Sequence, residues 1–292
     1  MDKGINVLSL FDGISCGMVA LERIGVKVNR YDAYEIEENA IKVSKYNYPE
    51  INHKGDVFKA KYVEGEYDIL IGGSPCTYWS IAKAGGERET TSSGFGWELF
   101  MQYVRALKEA KPKYFLYENN FSMSDNIRNE ITKQLGVEPI MINSADFSAQ
   151  DRKRYYWTNK DVNLNYIKSD IVLNDILYNH DYKILDFSKY KNTVKWNKDK
   201  TICKYDTSGK GYYSQTSRCR KPTIKSNTLT ASGNGKNNIW LSDYKCRILH
   251  PIEAERLQTL PDDYTSCLTS KVKRSEVCGN GWTVEVIAYI FT

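Results

Sequence analysis

Short apolar runs alternate with helical patterns through the first half of the chain. Residues 5–10 (INVLSL) and 26–31 (VKVNRY) read as β-strands, and between them Met18, Leu21 and Ile24 follow the spacing of one helix face. Strands that alternate with helices predict a parallel sheet of the α/β class. In such open sheets the chemistry lies at the carboxyl ends of the strands.

Two further apolar runs end in residues that carry chemistry. Residues 67–71 (YDILI) lead into Gly-Gly-Ser-Pro and then Cys76, and residues 113–117 (KYFLY) lead into Glu118. The non-functional alternatives are that Cys76 is a buried structural cysteine and that Glu118 is a glutamate favoured by a helix N-terminus. Because neighbouring parallel strands end at the same edge of a sheet, we instead interpret these residues as a nucleophile and an acid.

The first strand is followed by a glycine-containing turn, residues 11–17 (FDGISCG). Gly13 and Gly17 are predicted to let the backbone approach a ligand closely, and the following helix offers free N–H groups to an anion. The turn contains neither the G-x-G-x-x-G fingerprint nor a Gly-Lys-Ser/Thr phosphate loop. It therefore suits a single anionic group, such as the carboxylate of an amino-acid-like cofactor.

Carboxylates follow the next two predicted strands. Glu35, about 20 residues beyond the glycine turn, is placed to bind ribose hydroxyls. Asp56, after the third strand, is placed to accept from an adenine amine. Each carboxylate alone reads as a solvated surface charge. The ordered series of turn, Glu and Asp indicates a nucleoside that bears an amino-acid carboxylate, which describes S-adenosyl-L-methionine.

A basic stretch, residues 150–157 (QDRKRYYW), carries Gln150, Arg152 and Arg154 at even spacing. On a β-strand these three side chains would point to the same face. The alternative is a solvated basic surface.

Together these segments resemble the cytosine-C5 DNA methyltransferases, in order and over nearly the whole chain. The matching segments are Phe11–Gly17, Gly73–Cys76, Glu118–Asn119, Gln150–Arg154, Arg256–Gln258 and Gly279–Asn280. The departures are Asn120 where the family usually has Val, Gly281 where it has Ser, and 77–79 (TYW) where it has Gln-Gly-Phe. None of them removes a reacting group.

The resemblance implies a Rossmann-like S-adenosylmethionine-dependent methyltransferase fold with a smaller, loop-rich β domain for target recognition. It also implies three groups of site residues. The catalytic group is Cys76, Glu118, Arg152 and Arg154. The cofactor group is Phe11, Asp12, Gly13, Ile14, Gly17, Glu35, Ile36, Asp56, Val57, Pro75, Asn280 and Trp282. The DNA group is Ser80, Gln150, Arg218, Arg220, Thr228 and Leu229.

The implied reaction begins with a flipped-out cytosine, because a base inside a duplex cannot reach the thiol. The Cys76 thiolate attacks C6, protonated Glu118 donates to N3, and Arg154 holds O2. C5 then takes the methyl group, and loss of the C5 proton frees the cysteine. The polar segment 77–96 is expected to close on DNA as a mobile loop.

Charge divides the chain. Residues 161–245 contain 13 Lys and 2 Arg against 8 Asp and no Glu, a net charge of +7, whereas the remaining residues carry −2. This basic, loop-rich segment suits phosphate contacts. The resemblance implies that the region between Arg154 and Arg256 is the target-recognition domain. We therefore predict a catalytic and cofactor domain at 1–160, a target-recognition domain at 161–245, and a return segment at 246–292.

Composition and short patterns indicate the cellular compartment and limit the cofactors and partners to be expected. There is no signal peptide pattern, no apolar run long enough to span a membrane, and no C-x-x-C pair for zinc. Seven cysteines and a thiolate mechanism favour a reducing cytoplasm. We expect double-stranded DNA as partner, no metal, no membrane contact, no obligatory protein partner, and a monomer.

Three alternatives use other substrates or none. An RNA cytosine-C5 methyltransferase would be expected to carry a Cys-Phe-Thr element, which the chain lacks. A non-catalytic DNA-binding homologue would be expected to lack Cys76, Glu118 or Arg154. A Rossmann-like enzyme acting on a small molecule would have no use for the basic central segment.

Overall fold

Strands and helices alternate through the first half of the protein in the computed structural model, which describes residues 4–81, 88–213, 217–231 and 238–292. The strands are β1 (Ile5–Leu10), β2 (Val28–Tyr34), β3 (Asn52–His53), β4 (Ile69–Gly72), β5 (Tyr114–Asn120), β6 (Ile140–Asn143) and β7 (Lys153–Thr158). The helices are α1 (Cys16–Arg23), α2 (Glu38–Asn47), α3 (Phe95–Ala110) and α4 (Asp125–Leu135).

These strands form one sheet in the order β3-β2-β1-β4-β5-β7-β6. The pairs from β3 to β5 are parallel, and β7 runs antiparallel between β5 and β6. The chain leaves β1 toward β2 and later returns to the other side of β1 as β4, so the strand order reverses between β1 and β4. A ligand crevice is expected outside the carboxyl ends of these two strands.

The parallel sheet confirms the α/β class. The predicted strand at 5–10 coincides with β1, whereas β2 begins two residues later than predicted and extends to Tyr34. The prediction of a strand through Gln150, Arg152 and Arg154 is wrong, because β7 begins at Lys153 and the two preceding polar side chains turn into the protein.

The remaining chain adds a second sheet of short strands in the order β8-β13-β12-β11-β10-β9. Its strands are β8 (Leu185–Asp186), β9 (Lys195–Trp196), β10 (Ile202–Lys204), β11 (Arg218–Arg220), β12 (Asn238–Ser242) and β13 (Lys245–Ile248). The helices that follow are α5 (Pro251–Leu257), α6 (Lys271–Asn280) and α7 (Val284–Phe291). The core of this sheet holds three buried cysteines, Cys203, Cys219 and Cys246, beside stacked Phe187 and Tyr205.

The chain forms two compact units. The first contains residues up to Asn143, Lys153–Tyr166 and Val286–Thr292, and the second contains Ser144–Arg152 and Ile167–Glu285. These bounds differ from the predicted domains, because residues 246–285 group with the basic segment and only 286–292 group with the first unit. A hydrogen bond from the Gln150 side-chain amide to the Gln258 side-chain oxygen (3.1 Å) joins the two parts of the second unit. The division by function stays a prediction.

Within the parts of the chain that the structure describes, no helix combines the length and apolar character needed to cross a membrane.

Candidate active site

The turn after β1 holds an unusual backbone. Phe11, Gly13 and Ser15 have φ angles of 56°, 60° and 59°, so every second residue is left-handed. Glycine adopts this conformation freely, but a bulky residue such as Phe11 does so only under constraint. Strained backbone of this kind concentrates at ligand and active sites. The turn lies at the carboxyl end of β1, where the strand order reverses.

Asp12 supports this turn from inside. Its carboxylate accepts hydrogen bonds from the hydroxyls of Ser9 (2.6 Å), Ser15 (2.5 Å) and Tyr31 (2.7 Å). Burial raises the pKa of Asp12, and the three hydroxyl donors oppose that rise. Asp12 therefore supports the turn from within the protein, and its contact with a cofactor stays a prediction.

Gly17 also has a packing role. A Cβ atom there would lie 2.2 Å from Cδ1 of Ile71 and 3.0 Å from the Tyr31 hydroxyl. Gly17 therefore lets α1 pack closely on β4, and the approach of a ligand to its backbone stays a prediction. Ile14, which is 1% exposed, belongs to the same core.

Glu35 lies directly after β2 and reaches back to the glycine turn. Its Oε2 accepts from the Gly13 amide (2.8 Å), and its Oε1 accepts from the amides of Ile36 (2.7 Å) and Glu37 (2.8 Å). Burial raises the pKa of Glu35, and these amide donors oppose the rise. The carboxylate thus joins the carboxyl ends of β1 and β2 at one point.

Ile36, the residue after Glu35, exposes an apolar side chain to solvent. Ile36 is 73% exposed, although it follows a buried strand directly. After β3, Asp56 accepts from the Phe58 amide (2.9 Å) and begins a 3₁₀ turn in which Val57 is buried. The strand ends therefore offer two carboxylates and one exposed aliphatic surface.

Cys76 follows β4 at the start of a short 3₁₀ turn. Its side chain is half-buried, and the preceding Pro75 is exposed. The Cys76 carbonyl accepts from the amides of Trp79 (3.1 Å) and Ser80 (3.0 Å), and from the side-chain amide of Asn120 (3.1 Å). Three donors on one carbonyl fix the backbone that carries the thiol.

A second set of bonds holds the residues before Cys76. The side-chain amide of Asn119 donates to the Ser74 carbonyl (3.0 Å), and the hydroxyls of Ser74 and Tyr117 lie 2.6 Å apart. Both Asn119 and Tyr117 are fully buried in β5. The end of β5 therefore holds the loop from Ser74 to Cys76 at two points, through consecutive asparagines.

Glu118 lies between these bracing residues and forms an ion pair. Its Oε1 is 2.9 Å from Nε of Arg154, and the two side chains are 11% and 12% exposed. In the antiparallel register, Arg154 lies opposite Asn120, so it meets Glu118 diagonally. The structure thus brings Cys76, Glu118 and Arg154 to the same end of neighbouring strands.

Arg152 and Gln150 occupy a different environment from Arg154. Arg152 is 4% exposed and donates to the carbonyls of Leu229 (3.0 Å), Gly279 (3.3 Å) and Gly281 (3.1 Å). Gln150 is fully buried and bonds the Gln258 side chain. Both side chains therefore hold segments of the second unit together, and their catalytic and DNA-contacting roles stay predictions.

These three side chains, Gln150, Arg152 and Gln258, form a buried polar cluster. Gln258 donates to the carbonyls at 278 (2.6 Å) and 281 (3.0 Å), and Gln150 accepts from the Leu229 amide (2.8 Å). The cluster thus joins the segments around 229 and 280 to the helix α5. It positions Asn280, which is exposed at the end of α6, and half-buried Trp282.

The predicted DNA-contacting residues divide by exposure. Arg218 is exposed, whereas Arg220 is half-buried and donates to the Lys225 carbonyl (2.9 Å). Burial lowers the pKa of Arg220. Leu229 is 6% exposed, and the Thr228 hydroxyl donates to the Asp151 carbonyl (2.6 Å). The structure therefore leaves Arg218 accessible and turns Arg220 and Leu229 inward.

The described parts of the segment 77–96 form hydrogen bonds within the segment and to Ser122, and its role as a mobile loop stays a prediction. Residues 82–87 lie outside the described residues. Glu89 accepts from Trp79 Nε1 (3.2 Å) and from the amide of Gly96 (3.3 Å). Arg88 donates to the Ser122 carbonyl (2.6 Å). Ser80 lies within this segment, half-buried, with its amide on the Cys76 carbonyl.

Comparison with known protein families identifies the family of this chain. Residues 5–292 match the family described as C-5 cytosine-specific DNA methylase. The chain belongs to this family. The match covers all of the sequence motifs named above, and both compact units.

Phage and bacterial methylases are among the curated relatives. The chain is 35% identical over 165 residues to the orphan methyltransferase M.SPRI of Bacillus phage SPR, which covers 52% of this chain and 37% of that protein. It is 29% identical over 198 residues to the type II methyltransferase M.NgoPII of Neisseria gonorrhoeae, which covers 60% of this chain and 56% of that protein. The matches thus span between about a third and just over half of these relatives.

Solved structures of methyltransferases share the fold of this chain. A DNA modification methyltransferase encoded within an E. coli prophage superposes with a TM-score of 0.66 at 20% identity, covering 98% of this chain and 97% of that one. The S. pombe Dnmt2 methyltransferase superposes with a TM-score of 0.67 at 14% identity, covering the same shares. At these identities the likeness establishes the fold alone.

Sequence reasoning missed the residues that brace the nucleophile loop. The motif identified Glu118 and Asn119, but the bonds from Asn120, Tyr117 and Ser74 depend on the pairing of β4 with β5. The available signal was a pair of asparagines at the end of an apolar strand, where buried amides require hydrogen-bond partners.

Proposed function

We propose that this protein transfers a methyl group from S-adenosyl-L-methionine to C5 of a flipped-out cytosine in double-stranded DNA, through a covalent bond between Cys76 and C6. The observation that carries the proposal is the braced Cys76 beside the Glu118–Arg154 pair. The family match over residues 5–292 supports the same reaction class. A bacterial or phage-infected cytoplasm is the proposed location.

The residues at the ends of β1, β2 and β3 fit the methyl donor. Glu35 would hold the ribose hydroxyls, Asp56 the adenine amine, and exposed Ile36 the flat face of the base. An aliphatic side chain that is 73% exposed at a strand end gains stability when an apolar ring covers it. When bound, S-adenosylmethionine supplies an electrophilic methyl group.

Cys76 performs the first step. Its thiolate bonds to C6 and makes C5 an enamine carbon, which is nucleophilic enough to take the methyl group. The three donors on the Cys76 carbonyl keep the sulfur in place, so that little motion is needed for attack. Loss of the C5 proton and elimination then free the cysteine.

Glu118 and Arg154 act on the other edge of the cytosine ring. Charge moves toward N3 and O2 when the thiolate adds, and a proton on Glu118 delivered to N3 neutralises it. In the free protein the carboxylate is paired with Arg154. We propose that cytosine entry breaks this ion pair, so that Arg154 turns to O2 while the Glu118 carboxylate takes up a proton from water and donates it to N3.

The direct test is base-resolution sequencing of DNA from cells that express the protein. Bisulfite or nanopore reads should show 5-methylcytosine at one recurring sequence, absent from cells with an empty vector. Unmodified DNA, or 5-methylcytosine found only in RNA, would contradict the proposal.

Glu35→Ala is expected to weaken S-adenosylmethionine binding by about 1–3 kcal/mol, because polar groups of the ligand lose their partner. Isothermal calorimetry measures the change directly. Glu37→Ala is the matched control, because its carboxylate caps α2 in the same loop by accepting from the Ala40 amide. Equal affinity of the Glu35 variant and the wild type would remove Glu35 from the cofactor site.

Asn120→Val, which installs the residue usual in the family, is expected to lower kcat about tenfold or more with an unchanged KM for DNA. The Cys76 carbonyl keeps two amide donors but loses the side-chain amide, so the sulfur is held less firmly. Asn126→Val makes the same exchange at an exposed position of α4. A kcat like that of the control would mean that the Asn120 bond does not position the nucleophile.

A further inference from the structure

Three cations lie opposite one another on neighbouring strands of the second sheet. Lys195 in β9 is directly opposite Lys204 in β10, and Lys204 is directly opposite Arg218 in β11. Directly opposed residues of antiparallel strands project to the same face, with Cβ atoms about 4.5–5.5 Å apart. All three side chains are exposed. We call Lys195, Lys204 and Arg218 the basic row.

The other face of the same strands fixes where the basic row points. Trp196, Cys203 and Cys219 alternate with the row residues and pack into the core of the second sheet. A shift of register by one residue would bury the three charges and expose this core. The orientation of the basic row is therefore set by the packing of the sheet.

An aromatic ring joins two members of the row. The Nζ atoms of Lys195 and Lys204 lie 4.9 Å and 5.0 Å from the ring centroid of Tyr213. The Tyr213 hydroxyl donates to the Thr193 carbonyl at 3.4 Å, which keeps the ring against the sheet. Cation–π contacts attract both ammonium groups to one place without cancelling their charge.

Nothing in the described part of the chain neutralises the basic row. No Asp or Glu of residues 4–81, 88–213, 217–231 and 238–292 forms an ion pair with any of its three members. Like charges directly opposite each other destabilise a sheet. A bound polyanion removes that cost, because it places negative charge along the whole row.

We infer that the basic row binds the phosphate backbone of double-stranded DNA. Three adjacent strands span about 10 Å. The row therefore has the length to follow one DNA strand along neighbouring phosphates, each of which carries one negative charge. The row would supply affinity that does not depend on sequence, and leave base recognition to other residues. This inference rests on the proposed function, which supplies duplex DNA as the substrate.

Arg220 provides a contrast on the same strand. It is two residues from Arg218, but its guanidinium turns to the Lys225 carbonyl and is half-buried. We therefore expect Arg220→Gln to lower the melting temperature and to leave the salt dependence of DNA binding unchanged.

The test compares two triple variants of equal charge. One is Lys195→Gln, Lys204→Gln and Arg218→Gln; the control is Lys27→Gln, Lys42→Gln and Lys108→Gln, three exposed lysines of the first unit. Fluorescence anisotropy measures the affinity of each for a labelled duplex over a series of KCl concentrations. Log K falls as log salt rises, and each lost phosphate contact makes this negative slope shallower by about 0.9.

We expect the row variant to make that negative slope shallower by about 2–3, equally for duplexes of different sequence, and the control to leave it unchanged. Single variants Lys195→Gln and Arg218→Gln, each making the slope shallower by about 1, keep the test valid if the triple variant unfolds. A row variant whose slope equals that of the control overturns the inference. So does a slope change seen with duplex RNA and not with DNA.

The proposed function and the basic row are tested by different measurements. Absence of 5-methylcytosine from the DNA of cells that express the wild-type protein would reject the catalytic proposal. The difference in salt slope between the two triple variants tests the basic row alone.

Discussion

Replacing Cys76 with Ser is expected to reduce methyl transfer by a factor on the order of 10⁴ or more, as for the loss of other enzyme nucleophiles. A hydroxyl is a far weaker nucleophile than a thiolate near neutral pH, and C6 of cytosine is a poor electrophile. The exchange removes no hydrogen bond from the backbone of the loop, because Trp79, Ser80 and Asn120 all bond the carbonyl. Binding of DNA and of S-adenosylmethionine should therefore persist.

The measurement is the transfer of labelled methyl groups to DNA, with binding followed by anisotropy and calorimetry. Cys267→Ser makes the same exchange at another half-buried cysteine, in the second unit. We expect it to leave methyl transfer unchanged. A Cys76→Ser protein that retains a tenth of wild-type activity would remove Cys76 from the covalent step.

Glu118→Gln is expected to lower kcat by about 10²–10⁴-fold, the contribution of a general acid. Glutamine keeps the shape of the side chain and one N–H donor for N3, but it cannot deliver a proton. The exchange also leaves Arg154, which is 12% exposed, without its ionic partner. The melting temperature must therefore be measured beside kcat.

Glu66→Gln controls for loss of an ion pair alone. Glu66 pairs with Arg30 at 2.8 Å in the same unit, at a partly exposed position away from Cys76. We expect wild-type kcat from this control. If Glu118→Gln lowers the melting temperature but keeps wild-type kcat, Glu118 supports the structure and is not the proton donor.

The sequence was sufficient to predict the part of the site that lies on the parallel strands. The apolar runs predicted β1 and, to within a few residues, β2, β4 and β5. Residues that follow such strands must emerge at one edge of the sheet, so Cys76, Glu35 and Glu118 could be assigned to it. Strand periodicity and a parallel topology carry this information without any knowledge of packing.

The polar residues near 150 show where such reasoning ends. Even spacing suggested one exposed face for Gln150, Arg152 and Arg154, but only the last lies in a strand. Arg152 is buried because three main-chain carbonyls from distant segments surround it. Long-range partners of this kind leave no local pattern in the sequence. A buried arginine such as Arg152 therefore cannot be distinguished from a solvent-exposed one by sequence alone.

The basic row shows a similar limit in the second unit. The count of charges predicted a basic segment at 161–245, but strands of two or three residues carry too short a pattern to reveal their pairing. The alignment of Lys195, Lys204 and Arg218 follows from a register that the chain adopts to bury Trp196, Cys203 and Cys219. Arg220, equally basic in the sequence, turns inward.

Trapping the covalent intermediate tests the central claim most directly. DNA that contains 5-fluorocytosine at the methylated position should form a stable adduct in the presence of S-adenosylmethionine, because fluorine does not leave C5 as a proton does. Peptide mapping by mass spectrometry then identifies the attached residue. The account predicts one adduct at Cys76 in the wild type and none in Cys76→Ser, and an adduct at any other cysteine would contradict it.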